Sequence, residues 1–130
     1  MSHRSTADEL QATPLFSALP KRQLQRMAKS VETLILPAGH WLQAEGQRVH
    51  EFFVVSDGQV AVTSGARTIG YLLPGQWSDG AALLHAAVAR HGLATATSAR
   101  VLSLGEREFV ACLDTVPGLA RRLLTASVAA

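Results

Sequence analysis

The spacing of the turns constrains this chain more than any other feature. From Glu32 to Trp77 it reads "ETLILPAGHWLQAEGQRVHEFFVVSDGQVAVTSGARTIGYLLPGQW". Turn signals recur at Pro37-Ala38-Gly39, Glu45-Gly46, Asp57-Gly58, Ser64-Gly65 and Pro74-Gly75. The stretches between them are rich in Val, Ile, Leu and aromatics, the residues that suit a pleated, half-buried surface. Short strands at this spacing predict a β-sandwich or barrel. Asp57-Gly58, between "FFVVS" and "QVAVT", predicts a hairpin. Val60 and Val62 share one face of their strand, and Ile69, Tyr71 and Leu73 alternate in the same way.

Helical patterns flank this core. Asp8 to Thr13 is predicted to start a short helix, capped by Ser5 or Thr6. Leu24, Met27, Ala28 and Val31 recur at i, i+3, i+4 and i+7, the stripe of an amphipathic helix. Pro20 suits its first turn and Ser17 its cap. Arg22, Arg26 and Lys29 fall on another face, which reads as a solvated helix surface. "GAALLHAAVA" is Ala-rich and reads as a short helix opening at Gly80. "LATATSARVLSL" returns to strand. Two helices close the chain, one marked by Phe109, Cys112 and Leu113, the other starting near Pro117 and marked by Leu119, Leu123 and Leu124. The order predicts an α+β domain built on a β-roll, with residues 1–9 a polar tail and 10–130 the domain.

Composition narrows the function. Twelve Lys and Arg stand against ten Asp and Glu, a net charge of +2 in 130 residues, too small a surplus to argue for nucleic acid or an acidic membrane. No apolar run approaches the roughly 20 residues that span a bilayer, and the N-terminus "MSHRSTADELQ" lacks the apolar core of a signal peptide. A soluble cytoplasmic protein is expected. Cys112 is the only cysteine, which rules out an internal disulfide and a cysteine-built zinc or iron–sulfur site. It sits in an apolar stripe and reads as buried and inert. The five histidines show no i, i+4 pair of a zinc motif and read as solvent-facing or hydrogen-bonded. Trp41 and Trp77 read as core. No Ser/His/Asp arrangement stands out, so no enzyme and no cofactor is expected.

The succession "TPLFSALPKRQLQRMAKSVETLILPAGHWLQAEGQ", "EFFVVSDGQVAV", "IGYLLPGQW…AALL" and "RVLSLGEREFVACL" resembles the cyclic nucleotide-binding domain family. That family includes the sensory domain of the catabolite activator protein and the regulatory subunits of cyclic-AMP-dependent kinase. The resemblance spans roughly residues 10–125. It implies a β-roll carrying an N-terminal helix, a short inserted helix that receives the cyclic phosphate, and C-terminal helices. It also implies cyclic AMP or cyclic GMP as ligand.

In the family the inserted helix follows the pattern Pro-Gly-x-aromatic-Phe-Gly-Glu-x-Ala-Leu-Leu, then a short loop and an arginine. The helix N-terminus attracts the phosphate, the arginine neutralises it, and the glutamate accepts the ribose hydroxyl. Here Pro74, Gly75, Trp77, Ala82, Leu83 and Leu84 match. Ser78 replaces Phe, Asp79 replaces Gly, and Gly80 replaces the ribose-binding Glu. Arg90 is the arginine available for the phosphate, although an ungapped match places Ala89 there and Arg90 fits only with a loop one residue longer. His91 and Gly92 come next in the chain. Asp79 brings a carboxylate about where the phosphate would lie, a repulsion of about 1 kcal/mol in water and about 4 at an effective dielectric near 20 for charges roughly 4 Å apart. Alternatively, Asp79 takes over the ribose contact.

The resemblance thus implies a ligand site of Asp79, Gly80, Ala81, Ala82, Arg90 and His91, with backbone N–H groups of Ala81 and Ala82 meeting the phosphate. Two functions are expected in consequence: a regulatory domain with weak or altered cyclic nucleotide binding, or a vestigial pocket on a fold kept as a protein-interaction or dimerisation scaffold. The family's DNA-reading helix-turn-helix is absent before Ala130. The chain is therefore expected to act by binding a cyclic nucleotide, a protein partner or a second copy, or as one domain of a larger protein.

Overall fold

The computed structural model describes residues 5–17, 19–80, 83 and 87–115. The expected helix at Leu119, Leu123 and Leu124 lies outside the described residues, as do Ala81, Ala82, Leu84, His3 and His85. The described elements are α1 (Thr6–Gln11), α2 (Lys21–Ala28), β1 (Val31–Leu36), β2 (Trp41–Gln43), β3 (Glu51–Asp57), β4 (Val60–Ser64), β5 (Arg67–Leu72), β6 (Gly92–Thr95), β7 (Ala99–Gly105) and α3 (Glu106–Thr115).

Helix α1 starts earlier than its apolar spacing suggests because its cap is strong. The Ser5 hydroxyl accepts from the Asp8 N–H at 3.1 Å, and Asp8 accepts in return from the Ser5 N–H at 3.3 Å, a reciprocal capping box. Helix α2 begins after Pro20 without a side-chain cap. The Ser17 hydroxyl bonds the Pro14 carbonyl instead. Leu24 and Met27 are the buried residues of α2. Val31, counted into that stripe by its spacing, opens β1 instead.

The strands form two antiparallel sheets, ordered β1-β7-β3 and β2-β6-β4-β5. The hairpin expected at Asp57-Gly58 is not there. β3 pairs with β7 in the first sheet, and β4 pairs with β5 and β6 in the second. Asp57-Gly58 is a corner at which the chain leaves one sheet for the other. Residues 96–98 make the same passage beside it: the Ala96 N–H reaches the Gln59 carbonyl at 2.9 Å, and the Gln59 N–H reaches the Thr97 hydroxyl at 3.1 Å. "LATATSARVLSL" is accordingly two strands, not one. Gly58 holds φ +81°, and a β-carbon there would collide with the Ser98 carbonyl oxygen and approach Ala99 Cα to 2.9 Å. The corner therefore needs glycine twice, for its φ and for its contact.

Side-chain alternation assigns the two cores. Phe53, Val55 and Val101 point into the roll with Val60, Val62, Leu72 and Leu93. Phe52, Val54, Leu102 and Leu104 point the other way, against Leu10, Phe16, Leu24, Met27 and Phe109. β3 is thus covered on both faces, which is why "FFVV" is a continuous apolar run. The second sheet is covered on its inner face only. Its outer face carries Trp41 (59% exposed), Tyr71 (50%) and Ile69 (42%), which corrects the reading of Trp41 as core. Trp77 is buried as expected.

An ion pair with a buried carboxylate ties α1 to the first sheet. Glu9 accepts from Arg100 Nε at 3.0 and 3.2 Å, its Oε1 lies 2.8 Å from the Arg100 Nη2, and its Oε2 accepts from the Ser56 hydroxyl at 3.0 Å. This forked contact to Glu9 raises the Arg100 pKa further above its ordinary value.

Candidate functional site

The site is built on the free edge of β3. After β5 the chain turns at Gly75 (φ +89°), where Leu73 N–H is held by Gln76 Oε1 at 2.8 Å. It then runs along β3. The Gly75 N–H meets the Val55 carbonyl at 2.8 Å, the Val55 N–H meets the Gln76 carbonyl at 2.9 Å, and Trp77 bridges Val54. Ser78 closes the segment: its N–H donates to the Phe53 carbonyl, and its hydroxyl accepts from the Phe53 N–H, both at 2.9 Å. Ser78 is buried. The residue that breaks the family's Phe position is therefore a backbone clamp, a role with no signal in the local sequence. Gly80 is buried, and Gly80 and Leu83 carry helical backbone.

The returning chain is held by a second ladder. The Val49 N–H reaches the Ala87 carbonyl at 3.2 Å, the Ala89 N–H reaches the Gln47 carbonyl at 2.8 Å, and the Gly46 N–H reaches the Ala89 carbonyl at 2.8 Å. This pairing fixes the register of residues 87–89, and with it the placement of Arg90 and His91. Ala89 is buried, 3% exposed, whereas Arg90 is exposed. The His91 carbonyl accepts from Gln43 Nε2 at 3.0 Å.

Asp79, Arg90 and His91 line one cavity, with Trp77 and Ser78 beside them. Among the contacts of the described residues, no ion pair joins Arg90 to Asp79. The cavity's volume is about 30 Å³, far below the several hundred Å³ of a pocket that encloses a small-molecule ligand. Two polar atoms of its lining residues are buried without a hydrogen-bond partner, Trp77 Nε1 and His91 Nδ1. His91 is half-buried with its Nδ1 unbonded, whereas His40 and His50 are exposed. Ala81 and Ala82, assigned to the phosphate, lie outside the described residues. Among the described residues no group of three or more His, Cys, Asp or Glu could hold a metal ion, and no helix is long and apolar enough to cross a membrane.

Cys112 lies half-buried on α3. Burial, and then the negative charge of Glu108, push its thiol pKa up. A raised pKa favours the protonated thiol, the less reactive form, at neutral pH.

Comparison with known proteins agrees with this geometry. A cAMP-dependent protein kinase regulatory subunit of Mycosarcoma maydis is 28% identical over 122 residues, covering 87% of this chain and 23% of the relative. The chain thus spans about a quarter of the length of the curated relatives it matches. The catabolite activator protein of Thermus thermophilus superimposes with a TM-score of 0.75 at 20% identity, over 87% of this chain and 55% of that one. The regulatory subunit of a cAMP-independent protein kinase A from Trypanosoma brucei gives 0.79 at 17%, over 89% and 43%. At these identities the two structures speak for the fold alone. The family model of the cyclic nucleotide-binding domain matches residues 33–116. With its β-roll, its glycine-turned segment on β3 and this match, the chain belongs to the cyclic nucleotide-binding domain family.

Proposed function

We propose that this domain is a regulatory module that takes a cyclic nucleotide, cyclic AMP or cyclic GMP, with weak or altered affinity, in the cavity lined by Asp79, Arg90 and His91, with Gly80, Ala81 and Ala82 as further ligand residues. The convergence of Asp79, Arg90 and His91 on one cavity carries this reading. Three features weaken ordinary binding. Gly80 stands where the family has its ribose-binding Glu. Asp79 adds negative charge. The cavity of about 30 Å³ must open before a nucleotide enters, and a competent state that is rarely populated lowers the apparent affinity in proportion. Opening would pass the signal to the C-terminal end of the domain as a population shift. A soluble, cytoplasmic setting fits this role.

Calorimetry or thermal shift with both nucleotides tests the proposal. A ligand at 100 times its Kd stabilises by about 2.7 kcal/mol and raises the melting temperature. No shift at millimolar nucleotide would sink it. The double change Asp79→Gly with Gly80→Glu separates two forms of the idea. It strengthens binding if the site is merely degenerate, and adds little if Asp79 already serves the ribose.

A second reading, a dimerisation scaffold with a vestigial pocket, draws on the outer face of the second sheet. The register Trp41–Ala94–Ala61–Tyr71 sets two large exposed aromatics at the ends of a row of small residues. Sedimentation of the protein and of Tyr71→Glu decides it: a dimer that the substitution dissociates supports the scaffold, and a monomer at all concentrations removes the homodimer form.

A further inference from the structure

Helix α2 breaks the electrostatic rules of a helix that only faces water. The N-terminus of a helix is the positive end of its dipole and favours acidic residues. The first turn of α2 holds no acid, has no side-chain cap and carries Lys21 and Arg22. Arg26 and Lys29, near the other end, suit the dipole. Yet Arg22, Arg26 and Lys29 follow one another at i, i+4 and i+7, where like charges on successive turns repel. All four cations are exposed, and among the described residues no ion pair relieves any of them. A local rule broken without compensation inside the molecule points to function.

The row borders a groove between α2 and α3. Leu19, Gln23 and Met27 line it from the α2 side, and Ala111 and Cys112 from α3. Its volume is about 500 Å³, against about 30 Å³ for the cavity at Asp79. Leu19 and Met27 belong to the helix-side core and Cys112 packs against it, so the floor is apolar. Arg26 stands on the rim. Arg22 and Lys29, four residues before it and three after, extend that rim over about 10 Å of helix. Glu108 of α3 also lines the groove. A furrow between two helices suits a third helix, whose apolar anchors recur at i, i+4 and i+7.

We propose that this groove docks an amphipathic helix of a partner protein, with its apolar stripe on the floor and an acidic flank along Arg22, Arg26 and Lys29. Charge complementarity selects this occupant. Residues 116–130 of the chain itself carry Arg121 and Arg122 and no acid, so the row would repel them. A second copy docked isologously through the groove sets cation row against cation row. A flat lipid surface meets the rim but not the floor. Glu108 repels acid from the α3 side, which orients the partner with its acidic flank toward α2. The groove shares no lining residue with the cavity at Asp79, so the proposal stands whether or not that cavity takes a nucleotide.

The test titrates the full chain, by fluorescence anisotropy, into a labelled helical peptide of about four turns, with leucine at i, i+4 and i+7, glutamate on one flank and glutamine on the other. A second peptide has lysine for glutamate. The glutamate peptide binds, more weakly as salt rises, and the lysine peptide does not. Arg26→Glu with Lys29→Glu, both on the surface, leaves the melting temperature in place and weakens binding about tenfold. Bound peptide also slows alkylation of Cys112, the only cysteine, on the groove floor. Equal binding of the two peptides, binding of neither, or binding that leaves Cys112 as reactive as before overturns the proposal. Affinity unchanged by the double substitution overturns it as well. Alkylation slowed by raising the concentration of the protein alone gives the groove to a second copy. Alkylation slowed by anionic phospholipid vesicles and not by peptide gives it to a membrane. Either result overturns the partner helix.

Discussion

In the β1-β7-β3 sheet, β3 and β7 are covered on both faces, whereas the β2-β6-β4-β5 sheet is covered on one. The first holds the large aromatics: Phe52 stacks on Phe109 at 4.5 Å and meets Phe16 edge-on at 6.3 Å. The second contributes Val60, Val62, Leu72 and Leu93 to the roll and turns Trp41, Tyr71 and Ile69 to solvent. The small cavity lies against this second sheet, with β2, β4, β5 and β6 all among its walls. The difference teaches where stability and function reside. One sheet is a partition between two cores. The other has one face in water, and its inner side chains also wall the small cavity.

Phe52→Ala tests the first sheet and carries the largest expected effect. Phe52 is 1% exposed, and truncating such a residue costs about 3–5 kcal/mol through lost burial and the cavity left behind. The matched change on the second sheet, Tyr71→Ser, costs about 0.5 kcal/mol at most. Urea midpoints at unchanged slope measure both. Comparable losses would break the comparison, because they would mean that the outer face is covered in solution.

The Glu9–Arg100 pair sharpens it further, since it fastens α1 to the partition. The glutamate side chain is 5% exposed and the arginine 36%. Arg100→Ala leaves a buried carboxylate with the Ser56 hydroxyl, a loss of about 3 kcal/mol. Glu9→Ala leaves a guanidinium that water reaches, a loss of about 1 kcal/mol. Equal losses in chemical denaturation would show that water already enters the pair. The corner between the sheets comes next. Gly58→Ala forces a side chain into the left-handed region and against the Ser98 carbonyl, at about 1–3 kcal/mol.

How much of this is legible in the sequence depends on range. Turn chemistry is local, so Asp57-Gly58 and Pro74-Gly75 can be read as turns. Pairing is not local: Val60 lies opposite Thr95 and Leu72, and nothing in "SDGQV" says that the chain changes sheets there. The continuous run "FFVV" does hold that information, because a hairpin with one wet face would alternate. Trp41 misleads since a large aromatic suggests burial wherever it stands. It lies instead over Gly92, whose missing side chain makes the room. Glu9 is invisible as a buried ion because its partner is 91 residues away. In the site, the departures at Asp79 and Gly80 are plain from the pattern. The clamp by Ser78 and the burial of Ala89 are not, since both arise from ladders to distant strands.

The smallest expected effect concerns how well the helix layer seals the first sheet. Cys112 sits on α3, with Phe109 of the same helix packed on Phe52. Burial raises its thiol pKa first and Glu108 second. Glu108→Gln removes only the second cause, so the thiol pKa falls part of the way. Alkylation near pH 8 should then quicken by less than about threefold, against a much larger gain when the protein is unfolded in urea. The sign extends to stability. A thiol whose folded pKa is raised contributes its stability below the ordinary thiol range and loses it as the pH climbs toward the raised value. The native chain should therefore unfold more readily above that range, and Cys112→Ala should remove the effect. A threefold gain or more from Glu108→Gln would place charge ahead of burial as the main cause, and would mean that water reaches this flank of the partition much as it reaches the outer face of the second sheet.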